Sequence, residues 1–115
     1  MGQAVVRVFD WVGEDAFTSE QGCLVNFESA SYLDNGCAVV LDFSGVKRFT
    51  VRFLSFAVGQ QYRDYEHRFL DENLSAINMD NLLAQHYSDV VENAKEQYSK
   101  GEEEDGVPVC VESAK

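Results

Sequence analysis

Apolar segments of strand length alternate with segments of helical period along the 115 residues, and that order predicts a small α/β domain. Two segments carry most of the signal. Ala38, Val39, Val40, Leu41, Asp42 and Phe43 make a near-continuous apolar run, the pattern of a central strand whose sheet has helices over both faces. Leu83, Tyr87, Val90, Val91, Ala94 and Tyr98 fall on one stripe at helical spacing, behind Asp80 or Asn81 as a cap.

The other elements follow in chain order. Ala4 to Phe9 is β-branched and aromatic and runs on to Trp11 and Val12, which predicts a strand buried on at least one face and ended by Gly13. Thr18 or Ser19 caps an amphipathic helix whose apolar face holds Cys23, Phe27 and Ala30 with Leu24 beside them. Gly22 weakens that helix, and Asn35 with Gly36 stops it. After the central strand, Ser44 and Gly45 turn the chain into an apolar helix from Val51 to Tyr65, buried at its start and exposed at its end. A polar stretch, Arg63 to Asn73, leads to a short third strand, Leu74 to Met79. This order implies right-handed crossovers, with functional surfaces gathered at the carboxyl ends of the strands, where loops enter helices. Residues 44–52 are such a loop. Glu102 to Asp105 is a solvated charge run, and Val107 to Val111, interrupted by Pro108, reads either as an edge strand or as disordered chain.

Composition narrows the function. With 45% hydrophobic residues the chain supports one core, so residues 1–100 read as one domain and residues 101–115 as a flexible acidic tail. The formal net charge is −11, and the tail holds five acids against one lysine, so the body is acidic in its own right. Such a field disfavours direct contact with DNA, RNA or anionic lipid, whose phosphates reward the opposite sign. Cys23, Cys37 and Cys110 are an odd set without CxxC spacing, and no charged-then-apolar leader precedes the first strand, the usage of a reduced, cytoplasmic protein. No apolar run approaches the roughly 20 residues of a membrane-spanning helix.

Catalytic chemistry finds no constellation here, and no enzyme activity, cofactor or metal is expected. His67 and His86 lack a second ligand at metal spacing, and the acids of Glu102 to Asp105 lack the alternation and central glycine of a calcium loop. Ser44 and Gly45 do not form a nucleophile elbow, and no glycine-rich phosphate loop is present. Asp42, at the end of the central strand, is expected to bond the amides of the turn that follows. Five of the nine basic residues, Lys47, Arg48, Arg52, Arg63 and Arg68, fall between positions 47 and 68, where only Asp64 and Glu66 oppose them. They read either as a positive patch for an acidic partner surface or as ordinary solvated residues covering the core with their stems.

Val39, Val40 and the string LDFSGV at Leu41 to Val46, followed by a polar-aromatic turn and a phenylalanine-led helix, resemble the central signature of STAS domains, the fold of anti-sigma factor antagonists and sulfate transporters. Ile77, Asn78 and Met79 ahead of the last helix resemble a second block of the bacterial STAS-like domain of unknown function. The resemblance covers about half the chain. It implies a small STAS-like mixed sheet of about four strands with three helices packed on it. In the antagonist branch a serine at the start of this helix accepts phosphate from a histidine-kinase-like ATPase that also binds the sigma factor. The added dianion suits a helix N-terminus and disrupts a closely packed partner. In this chain the matching positions read Thr50, Val51 and Arg52, so Arg52 stands nearest the usual acceptor position and Thr50 and Ser55 are the candidate phosphoacceptors.

The expected function is a non-enzymatic regulatory module that binds a protein partner, a histidine-kinase-like ATPase or an anti-sigma factor, through the turn and helix start at 44–55. Ser44, Lys47, Arg48, Thr50, Arg52 and Ser55 are its candidate contacts. The rival reading is a small acidic inhibitor, for example a phage-encoded nucleic-acid mimic. A regular array of surface carboxylates would favour the rival, and acids clustered in tail and loops would favour the module.

Overall fold

The computed structural model describes residues 2–98. Both the tail expected at 101–115 and the edge strand or disordered chain expected at 107–111 lie outside the described residues. In chain order the elements are β1 (Gln3–Arg7), α1 (Val8–Val12), β2 (Asp15–Ala16), α2 (Ser19–Leu33), β3 (Ala38–Asp42), β4 (Arg48–Phe49), α3 (Val51–Leu54), a π-helical turn (Ser55–Gly59), α4 (Gln61–Asp64), α5 (His67–Asn73), β5 (Leu74–Ile77) and α6 (Asn81–Tyr98). β3 lies between β1 and β5 in a three-stranded sheet, and both pairings are parallel. β2 and β4 form a separate parallel pair.

This corrects the expected mixed sheet of about four strands with three helices. All pairings among the described residues are parallel, and the extra strands are a two-residue pair in the loops beyond the main sheet. Two residues carry no alternation of polarity, so no strand signal marked them. α3, the π turn and α4 run on from one another over the range of the helix expected at Val51 to Tyr65, but its burial differs: Val51 and Arg52 are exposed, and Gln60, Gln61 and Tyr62, expected at an exposed end, are buried. α1 and α5 were not expected.

The first strand ends earlier than its composition suggests. β1 pairs with β3 only as far as Arg7 opposite Asp42, where β3 itself ends. Beyond that point no neighbour offers ladder bonds, and Val8 to Val12 satisfy their backbone groups in a helical turn. The Gly13 amide closes it on the Phe9 carbonyl at 2.8 Å with φ 76°. Strand preference depends on a pleated partner surface, and the residues past Arg7 have none.

The sheet is covered on one face. Val6, Val39, Leu41 and Leu74 are buried beneath the helices. Register places Val5 beside Val40 on the opposite face, where Val5 is 54% exposed and Ile77 44% exposed. The apolar run of β3 therefore does not report two covered faces.

α2 keeps its expected limits but turns a different face inward. Thr18 caps it in a capping box with Gln21, and the Gly36 amide reaches the Leu33 carbonyl at its end. The buried residues are Gly22, Val25, Asn26, Ser29 and Leu33, whereas Leu24 and Phe27 are exposed and Cys23 and Ala30 are half-buried. The reason lies across the interface. At Gly22 the π turn approaches so closely that an added Cβ would stand 2.7 Å from both the Phe53 carbonyl oxygen and Phe56 Cβ. The π turn, where the Gln60 amide bonds the Ser55 carbonyl five residues back, needs further donors for its displaced carbonyls. Asn26 Nδ2 donates to the Phe56 carbonyl at 3.0 Å, and Gln61 Nε2 to the Ala57 carbonyl at 3.1 Å. Asn26 thus points inward because a backbone group requires it.

α5 and α6 complete the helical layer. Leu70 anchors α5 in the core, fully buried. α6 buries Leu83, Val90 and Ala94, with Tyr87, Val91 and Tyr98 packed against the core, which is the expected stripe. Its cap is Asp80, whose carboxylate accepts the Leu83 amide at 2.8 Å.

Candidate functional site

The carboxyl ends of β1, β3 and β5 lie together, and the loops leaving them build the candidate site. At the end of β3, the Val46 amide bonds the Phe43 carbonyl across Ser44 and Gly45. Gly45 has φ 90°, and an added Cβ would stand 2.9 Å from the Phe9 ring, so conformation and space both demand glycine. Asp42 ties this turn to the next loop. Its Oδ1 accepts the Ser44 amide at 2.9 Å, as expected, and also the Asn78 side-chain amide at 3.0 Å. Those bonds, Asn78 foremost, hold its carboxyl below the usual range. Asn78 takes φ 61°, a conformation asparagine tolerates.

From the turn the chain enters β4. The Lys47 and Arg48 amides share the Glu14 carbonyl at 2.8 and 3.0 Å, and Arg48 Nε reaches Asp15 Oδ1 at 2.7 Å. Thr50 then joins three segments. Its amide bonds the Ala16 carbonyl at 3.0 Å, its hydroxyl donates to the Phe17 carbonyl at 2.6 Å, and its Oγ1 accepts the Phe53 amide at 3.1 Å as the cap of α3. The small β2–β4 pair and this cap pin the loop, and Lys47 before β4, Arg48 within it and Val51 just after the cap are all exposed.

Opposite them stands the start of α6. Lys47, Arg48, Phe49 and Val51 face Asp80, Leu82 and His86 across an open groove with a cavity of about 350 Å³. Val51 is 49% and Leu82 58% exposed, so the groove offers apolar surface among charged residues of both signs, Lys47 and Arg48 with Asp80. The Phe49 and His86 rings meet with centroids 5.5 Å apart, joining the two walls.

The six residues expected as contacts are thus divided. Lys47 and Arg48 line the groove. Ser44 is exposed on the turn, Arg52 is exposed on α3, Thr50 is half-buried in its hydrogen bonds, and Ser55 is half-buried in the π turn. None of these four lines the groove. Sequence reasoning missed the other wall. Leu82 gave a usable signal, being a large apolar residue beside the buried stripe of α6 rather than on it. Among the described residues no group of three His, Cys, Asp or Glu side chains could hold a metal ion, and no helix is long and apolar enough to cross a membrane.

Residues 29–83 match the family model described as a STAS-like domain of unknown function. The match runs from the last turns of α2 through the central strand, the turn and β5 to the first residues of α6, and so takes in the groove's lining residues except His86. No curated protein and no solved structure gives a significant match to the chain.

Proposed function

We propose, with a STAS-like module as the premise, that the protein is a non-enzymatic regulatory component that docks a partner protein at the carboxyl end of its sheet, through the turn and helix start at 44–55 together with the first turns of α6. The observation that carries this reading is the groove between β4 and α6, which pairs exposed Val51 and Leu82 with Lys47 and Arg48. Exposed apolar surface with a polar rim is the usual makeup of a protein-interaction patch. A histidine-kinase-like ATPase or an anti-sigma factor is the partner class that the STAS resemblance implies. The Thr50 hydroxyl already donates to one backbone group and accepts from another, so phosphate there would break both bonds and loosen the start of α3. Docking without phosphorylation of Thr50 is the version favoured.

The test measures capture of the native partner from cell extract by the unaltered chain, by Arg52→Glu and by Leu82→Glu. Both substitutions are at exposed positions and should lower affinity at least tenfold while leaving thermal stability nearly unchanged. Undiminished capture by both variants would remove this face as the docking surface. Capture of a DNA-binding protein that is insensitive to both and lost in high salt would put the acidic-inhibitor reading in its place.

A further inference from the structure

We draw no further inference here: the strongest candidate, the open face of the three-stranded sheet on which Val5 and Ile77 stand exposed, carries none because nothing in the structure shows what covers it.

Discussion

Gly22→Ala sets two known effects against each other, and the structure decides their sign. In an isolated helix the change stabilises by about 1 kcal/mol, because alanine is the better helix former. Here the new methyl would lie 2.7 Å from the Phe53 carbonyl oxygen, 2.7 Å from Phe56 Cβ and 3.1 Å from the Ala57 amide nitrogen. The first and last of these are backbone atoms, so no side chain can rotate away. α2 must move off the π turn, an overpacking cost of about 1–3 kcal/mol. The same movement stretches the bond from Asn26 to the Phe56 carbonyl, and weakening a buried hydrogen bond costs about 0.5–1.5 kcal/mol more. Set against the gain of about 1 kcal/mol in propensity, the net expectation is a loss of about 0.5–3.5 kcal/mol, centred near 2. For a domain of this size each kcal/mol moves the melting temperature by about 4–8 °C. Thermal unfolding followed by far-UV circular dichroism should show Gly22→Ala melting at least 5 °C below the unaltered protein. A melting temperature equal to or above it would mean that helix propensity prevails, and that α2 and the π turn do not approach as closely as this account requires.

Three further outcomes follow from the same hydrogen-bond network. Asn26→Ala should cost about 0.5–1.5 kcal/mol in urea unfolding, since it removes a buried hydrogen bond between α2 and the π turn. Thr50→Ala should cost about 1–2 kcal/mol by removing the cap of α3 and the bond to Phe17, while Thr50→Ser should retain most of it; equal losses in the two would contradict the capping role. Asp42 is held below its ordinary pKa, so the stability it contributes is present above the unfolded value near 4 and fades as pH falls through the lower folded value. Asp42→Ala should therefore lie closer to the unaltered protein in stability at pH 2–3 than at pH 7, with a pH 7 difference of about 1 kcal/mol given its exposure; a constant gap across that range would refute the tie to Asn78 and Ser44.

What could be read from the chain was whatever repeats locally. The run Ala38 to Phe43 identified the central strand, Leu83 to Tyr98 identified the last helix, and Thr18 with Gly36 bracketed α2, because each signal depends on residues a few positions apart. The errors fall where a distant segment sets the outcome. Val8 to Val12 is strand-like in composition, but β3 stops opposite Arg7 and leaves it nothing to pair with. Phe27 looks like a core residue, but Gly22 and Asn26 face inward because the π turn requires a close approach and a donor.

The candidate site divides along the same line. Lys47, Arg48 and the loop containing them were legible as a cluster of cations after a turn, whereas Thr50, read as a contact and candidate phosphoacceptor, is the cap of α3. The groove was not legible, because its second wall lies about 30 positions or more away in the sequence and its exposed Leu82 differs from a buried leucine only in what surrounds it. The sequence by itself determined the α/β class, the central strand, the glycine turn after it and the acidic charge, since these follow from local conformational preference and composition. Only the tertiary structure decided that the three strands run parallel with one face open, that α2 turns its glycine inward, and that Val51 and Leu82 line one groove. Those depend on which surfaces come within reach of one another, and that is settled by packing the whole chain at once.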